Sequence, residues 1–267
     1  MFSGWVPRCR NSKTKRKGCC EDVTFTELLE FVVGEVEKGN PLDPHLTPMH
    51  EHCHPCTNSY NFVGRMENFT KDANHVFQEL NSRILSNISF GDFQKESKIF
   101  AVKDYVHRLF RHKVWINRCL PMYDSMLRTW KALQIRGILD NRVQLPFSRQ
   151  EAEHVSRFSF MNAALNALEK STDPVQIRKA KSEAVVEAFS SVPRDLLLKI
   201  KELVRPDCLL FGYKLEPSEI FESGKQLKSR KKYFVSLDEK EYKKYFGGDP
   251  SKLPSARLNA LSGMMHI

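Results

Sequence analysis

A loop rich in proline, histidine and cysteine, followed directly by a short apolar segment, restricts the possible folds of this chain more than any other feature. Residues 41–55 contain four prolines, which exclude a regular helix or strand through the loop. Residues 60–66 are apolar, are interrupted by Gly64, and predict a buried strand. A helical pattern follows from about Thr70. Because an isolated strand is not stable, strands from elsewhere must pair with this segment.

The remaining pattern is mostly helical. Thr24 and Glu27 have the spacing of a capping box, and apolar residues then recur at helical intervals. Further helices are predicted over residues 97–139, 150–169, 174–189 and 194–204. Pro121 is expected to break the first of these and Pro206 to end the last, before a turn at residues 209–213. The sequence therefore predicts a mainly α-helical protein with a few short strands.

The composition indicates a folded protein with an excess of positive charge. Of the 267 residues, 41% are hydrophobic, and 42 Lys and Arg outnumber 32 Asp and Glu, which gives a net charge of +10. This charge predicts a polyanionic partner, which could be nucleic acid, acidic glycan, a phosphorylated cofactor or an anionic membrane. Six basic residues precede Glu21 and form either an anion-binding segment or a solvated arm. No apolar run has the length of a membrane span or signal peptide.

Several function classes lack support in the sequence. Aromatic residues lie among basic ones near Trp115, but their helical spacing favours core positions over a nucleic-acid surface. No zinc-finger, RNA-recognition or helix-turn-helix signature is present. The chain also lacks a P-loop, a dinucleotide fingerprint, a zinc-protease motif and a nucleophile elbow. No nucleic acid is therefore expected as a partner.

Cys53 and Cys56 form a Cys-x-x-Cys pair in the loop. A disulfide is the favoured interpretation, either between these two or with Cys19 or Cys20. Free thiols, or a zinc site completed by the loop histidines, are alternatives. Ligands that all come from one short loop are difficult to arrange tetrahedrally around a zinc ion. A redox pair normally begins a helix, and Pro55 argues against one here. With seven cysteines, at least one is unpaired in the monomer.

Two candidate glycosylation sites bear on the cellular compartment of the protein. Asn68 and Asn87 each begin an Asn-x-Ser/Thr triplet and are candidate glycosylation sites. Together with the cysteine pair, these triplets favour a lumenal compartment of the secretory pathway.

Five sequence blocks in fixed order resemble one enzyme family. They are Phe-Thr-Glu-Leu-Leu-Glu-Phe from Phe25, His-x-x-Pro from His45, Cys-His-Pro-Cys from Cys53, Tyr-Asn-Phe-Val-Gly-Arg-Met-Glu from Tyr60, and Asp-Cys-Leu-Leu-Phe-Gly-Tyr from Asp207. This series is similar to that of the Golgi carbohydrate sulfotransferases of the chondroitin and dermatan 4-O type. The resemblance predicts a sulfotransferase-like domain over residues 1–213 with a helical insert at about 90–192, and a charged tail over residues 214–267.

The resemblance implies a fold, a donor and an acceptor. The fold would be a remnant of the α/β P-loop-kinase-like sulfotransferase fold. The enzyme would move a sulfuryl group from 3′-phosphoadenosine 5′-phosphosulfate to a hydroxyl of a chondroitin-like acidic glycan, without a metal. The family works in the Golgi lumen as membrane glycoproteins, so contact with the membrane would need an N-terminal anchor that this chain does not contain.

The resemblance also implies residue roles. Ser3 matches the serine that contacts the 3′-phosphate of the donor, and Arg65 stands where the family has lysine and would bind substrate. Asn61 replaces an aspartate of the family. His45 is the candidate general base, since an imidazole can take the proton of the acceptor hydroxyl. Glu67 is interpreted as a structural partner of a nearby base, with a catalytic role as the alternative.

The sequence departs from the family at its start. The basic loop that would hold the 5′-phosphosulfate is not found, and the arginine of the second donor motif would precede Met1. The expectation is the C-terminal two-thirds of a sulfotransferase, from a shortened gene model or a genuine short paralogue, and inactive as this chain. The alternatives are a non-catalytic basic module that binds glycan or another polyanion on the same scaffold, and a zinc-stabilised nucleic-acid binder.

Overall fold

The computed structural model of the protein describes residues 23–79, 90–117, 120–222 and 233–234. Within these residues all regular structure is helical. The helices are α1 Phe25–Glu37, α2 Met49–Cys53, α3 Phe69–Glu79, α4 Phe90–Arg111, α5 Lys113–Ile116, α6 Met122–Ile135, α7 Arg149–Ala152, α8 Arg157–Glu169, α9 Pro174–Phe189, α10 Arg194–Phe211 and α11 Ser218–Phe221. A 3₁₀ turn, Met66–Asn68, precedes α3.

Several predicted helix signals are confirmed. Thr24 and Glu27 form the capping box of α1, with the Glu27 amide donating to the Thr24 hydroxyl and the Thr24 amide donating to the Glu27 carboxylate. Pro121 stands at the N-cap of α6, so the expected break occurs there. The helix predicted at Pro174–Phe189 has these same bounds, and the Asp173 carboxylate caps it by accepting from two backbone amides.

The predicted strand at residues 60–66 is wrong. The described residues contain no strand, and this segment is irregular and solvent-exposed, with 51% of Tyr60, 56% of Val63 and 80% of Met66 accessible. A strand needs a neighbour to pair its backbone groups, and none lies beside it in the part of the chain that the structure describes. The mainly α class is confirmed by the described helices, while the P-loop-kinase-like sheet stays a prediction.

The helices differ from the predictions in three places. The loop at residues 41–55 contains the short helix α2. The helix predicted over residues 150–169 is two helices, because Ser148 and Ser156 each cap a new N-terminus. Helix α10 continues through Pro206 to Phe211, so the predicted end and the turn at 209–213 are wrong. Asp207, directly after the proline, accepts hydrogen bonds from two amides of α2, which hold this segment in place.

The described residues divide into two compact units. The first comprises residues 23–28, 98–117, 120–191 and 233–234. Its core is built from buried side chains of α4 to α8, with Trp130 and Phe160 fully buried and their ring centroids 6.1 Å apart. The Trp130 indole N–H donates to the Val143 carbonyl at 2.9 Å, which satisfies the polar edge of a buried ring. A buried Asp124 carboxylate pairs with both terminal nitrogens of Arg149.

The second unit comprises residues 29–79, 90–97 and 192–222. It contains α2, α3, α10, α11 and four of the five sequence blocks, of which the last, from Asp207, lies at the end of α10. Ion pairs join its parts, including Lys199 with Glu37 and Lys201 with Glu216, each at 2.8 Å. No helix in the described residues is both long and apolar enough to cross a membrane.

Candidate functional site

The short helix α2 places the histidine-rich loop against the end of α10. Both carboxylate oxygens of Asp207 accept hydrogen bonds at the N-terminus of α2, Oδ2 from the Met49 amide and Oδ1 from the His50 amide, each at 2.8 Å. These amides have no acceptor within the helix, so the carboxylate satisfies them and its charge is favourable at that end. Asp207 is the first residue of the last sequence block, Asp207–Tyr213, which we call the closing block. It therefore fixes the loop from 157 positions away in the sequence.

The same carboxylate also orients a histidine ring. Nδ1 of His50 lies 2.7 Å from Oδ1 of Asp207, and the side chain of His50 is 25% exposed. Because an ionised carboxylate only accepts, Nδ1 carries the proton in this contact and Nε2 is left as the basic atom in a neutral ring. The sequence indicated His50 only as one of the loop histidines that could complete a zinc site. No local spacing pointed to its distant partner Asp207.

His45, the predicted general base, has a similar arrangement within the loop. Its Nδ1 lies 2.7 Å from Oδ1 of Asp43, which also accepts from the His45 amide at 2.9 Å, and its side chain is 56% exposed. Although partial burial raises the pKa of Asp43, the hydrogen bonds from His45 lower it by more, so the carboxyl stays ionised. With the proton on Nδ1, Nε2 is the acceptor nitrogen of a neutral His45 ring.

The second contact of the closing block is with the Arg65–Glu67 segment. The Tyr213 hydroxyl donates to the Glu67 carboxylate at 3.1 Å, and the Arg65 guanidinium lies over the Tyr213 ring, 5.7 Å from its centroid. Loss of solvation and the bond to Glu67 both raise the pKa of Tyr213, so this hydroxyl remains a donor at neutral pH. The Arg65 amide donates to Asp72 at 2.8 Å and ties the segment to α3.

Gly212 allows that contact. It ends α10 with φ at +67°, a left-handed conformation that glycine adopts without strain. A Cβ built on Gly212 would lie 2.8 Å from a terminal nitrogen of Arg65. The positive φ therefore favours glycine here, and a larger residue would also displace the flexible end of the Arg65 side chain.

A small open cavity lies in the loop that carries the cysteine pair. Its volume is about 430 Å³, and it is lined by Pro55, Cys56, Thr57, Asn58, Ser59, Tyr60 and Val63. The Tyr60 hydroxyl donates to the Cys53 carbonyl at 2.5 Å, which fixes the ring at the cavity wall. Hydroxyl and amide groups beside an accessible aromatic ring are suited to a sugar, which offers hydroxyls on its edges and C–H groups on its face.

The cysteines and histidines of the loop are not gathered into one centre. Cys53 and Cys56 are free thiols that are not joined to each other. The predicted partners Cys19 and Cys20 lie outside the described residues, so the disulfide stays a prediction. His52 donates from Nε2 to the Pro44 carbonyl at 2.6 Å. Within the described ranges, no group of three or more His, Cys, Asp or Glu side chains could hold a metal ion.

The remaining predicted site residues are only partly placed. Arg65 and Asn68 are exposed, and Asn68 lies in the 3₁₀ turn. Ser3 and Asn87 lie outside the described residues. The donor contact and both glycosylation sites therefore stay predictions.

Comparison with known proteins finds similarity to one family. Residues 3–123, slightly less than half of the chain, match the sulfotransferase family model. Carbohydrate sulfotransferase 11 of Danio rerio is 29% identical over 90 residues, which are 33% of this chain and 25% of that protein. Carbohydrate sulfotransferase 11 of Mus musculus is 33% identical over 77 residues, 27% of this chain and 21% of that protein.

A second group of relatives matches a shorter stretch. Carbohydrate sulfotransferase 14 of Homo sapiens is 38% identical over 58 residues, which are 22% of this chain and 15% of that protein. The aligned part of the chain spans a quarter or less of the length of these relatives. No solved structure matches the chain. The matches confirm the resemblance to carbohydrate sulfotransferases that the sequence blocks predicted.

Proposed function

We propose that the chain is part of a carbohydrate sulfotransferase that moves a sulfuryl group to a hydroxyl of a chondroitin-like acidic glycan. The observation that carries this proposal is the convergence of separate sequence blocks in one unit. Asp207 binds the N-terminus of α2, and Tyr213 binds Glu67 beneath Arg65. The blocks that the family resemblance rests on are thus the segments that hold the histidine-rich loop in place.

Within this proposal, the acceptor lies near the loop. His45 takes the proton of the attacking hydroxyl on Nε2, because its Nδ1–H is directed at Asp43. Arg65 binds a carboxylate or sulfate of the glycan, as its exposed guanidinium can donate two parallel hydrogen bonds. The polar cavity beside Tyr60 accommodates a neighbouring sugar. His50, paired with Asp207, is a second base with the same protonation pattern.

The donor is proposed to be 3′-phosphoadenosine 5′-phosphosulfate. It supplies the sulfuryl group and leaves as 3′-phosphoadenosine 5′-phosphate, while the acceptor oxygen gains a bond to sulfur and loses its proton. The transferred group carries spread negative charge, so positioned cations stabilise it. Ser3 is the proposed contact of the 3′-phosphate.

The test is transfer of labelled sulfate to unsulfated chondroitin by the chain fused behind the donor-binding segment of a carbohydrate sulfotransferase, since the chain by itself is expected to be inactive. The product disaccharides are separated by mass. His45→Gln should lower the rate by about 100-fold, the usual contribution of a general base. His154→Gln removes an exposed histidine of the first unit and is the matched control. If His50→Gln lowers the rate and His45→Gln does not, His50 is the base.

A folded chain that neither transfers sulfate nor binds the donor product would contradict the proposal. Retained binding of chondroitin in that case would favour the alternative, a non-catalytic module that binds polyanions through its excess of positive charge.

A further inference from the structure

A row of cations crosses the first unit, which does not contain the candidate site. Its centre is Tyr105 on α4. The Arg136 and Arg108 guanidinium groups lie over the Tyr105 ring, 5.5 Å and 5.8 Å from its centroid. Nη1 of Arg136 also donates to the Tyr105 hydroxyl at 3.1 Å. Two cations are therefore held in fixed positions on one aromatic side chain.

The row continues onto α9. Gly137 follows Arg136 with φ at +72°, and a Cβ built on it would lie 2.8 Å from Cδ of Lys181. The aliphatic part of Lys181 therefore packs against the backbone beside Arg136. Arg178 lies three positions before Lys181 on the same helix, which makes the two side chains neighbours on its surface. We call Arg108, Arg136, Arg178 and Lys181 the cationic row.

The charge of the row is largely unbalanced. Asp104 forms an ion pair with Arg108. Arg136, Arg178 and Lys181 are exposed, and the structure records no carboxylate contact for them among the described residues. Neighbouring cations repel one another, and an anion with several charges along its length relieves that repulsion at every position. The arrangement suits an extended polyanion better than a single small anion.

We propose that the cationic row is a binding site for an acidic glycan, additional to the candidate site of the second unit. This inference rests on the proposed function for the class of ligand, since the acceptor there is a glycan with regularly spaced carboxylates and sulfates. The planar guanidinium groups of the row bind such groups through paired hydrogen bonds.

The geometry favours a glycan over single-stranded nucleic acid. Proteins bind unpaired bases by stacking them on accessible aromatic faces. Tyr105 is the aromatic ring of the row, and two guanidinium groups lie over it. A ligand that presents acidic groups without needing a stacking surface fits this arrangement.

The test compares two charge-matched variants of the full chain. Arg136→Gln/Lys181→Gln removes two cations from the row, and Lys95→Gln/Lys170→Gln removes two exposed lysines elsewhere. The dissociation constant for chondroitin sulfate oligosaccharides is measured over a series of salt concentrations, after circular dichroism has shown that both variants fold. The row variant should bind about tenfold more weakly, and the control within about twofold of the unchanged chain.

The salt dependence supplies a second readout. Each lost contact with a polyanion reduces the number of ions released on binding, so the salt dependence of the row variant should become shallower. Equal losses in both variants, or no loss in the row variant, would overturn the inference. The inference would also be overturned if poly-dT or anionic vesicles bound more tightly than the glycan and the row variant lost that binding. Binding of 3′-phosphoadenosine 5′-phosphate, measured alongside, reports on the proposed function independently.

Discussion

At the scale of single residues, the carboxylate of Asp207 links two distant parts of the sequence. It accepts from two amides of α2 and lies 2.7 Å from the ring of His50. No sequence pattern around Asp207 shows this role, because both partners lie more than 150 positions away. The resemblance marked the residue as part of a block, and the structure shows what the residue binds.

Gly212 gives a prediction at this scale. Gly212→Ala should lower the free energy of unfolding by about 1–2 kcal/mol, because an alanine is strained at positive φ and its Cβ meets the Arg65 guanidinium. Gly34→Ala is the matched control. Gly34 lies inside α1, three residues before its end, and a Cβ built on it would have open space, so the change there should stabilise by about 0.5–1 kcal/mol. Urea unfolding measures both, and a neutral Gly212→Ala would contradict the account.

At the scale of elements, α2 depends on a cap from another helix. Its N-cap is Pro48, which provides no side-chain hydrogen bond, and five residues are too few for a helix to be stable in isolation. The Asp207 carboxylate performs the capping role from α10. The position of the histidine-rich loop therefore depends on a tertiary contact.

Removal of this cap should be measurable. Asp207→Ala should cost about 1–2 kcal/mol of unfolding free energy and weaken binding of the acceptor glycan, since both amides lose their acceptor. Asp195→Ala removes an exposed carboxylate from the first turn of α10 and should change stability by a few tenths of a kcal/mol. Equal effects of the two changes would show that Asp207 acts only through its charge.

Some of the helices could be predicted from the sequence alone, and other segments could not. The capping box at Thr24, the break at Pro121 and the whole of Pro174–Phe189 could be predicted because local signals determine them. Residues 60–66 have the composition of a strand, but strand formation depends on a pairing partner that local composition cannot supply. Pro206 was expected to end α10, whereas the contacts of Asp207 and Tyr213 hold the turn beyond it.

At the scale of the whole molecule, the two units carry different features. The first unit has the apolar core around Trp130 and the cationic row, while the second holds the histidine-rich loop and the closing block. The net charge of +10 predicted a polyanionic partner without indicating where it binds. Only the placement of α4, α6 and α9 brings the four cations of the row together, since Arg108 and Lys181 are remote in sequence.

The most direct test of the central claim is a calorimetric titration of the full chain with 3′-phosphoadenosine 5′-phosphate. The account predicts micromolar binding, a rise of about 2.7 kcal/mol in stability at 100 times the dissociation constant, and weaker binding by Ser3→Ala. A folded chain that gives neither heat nor a shift in melting temperature would contradict the proposal that this chain binds the sulfuryl donor.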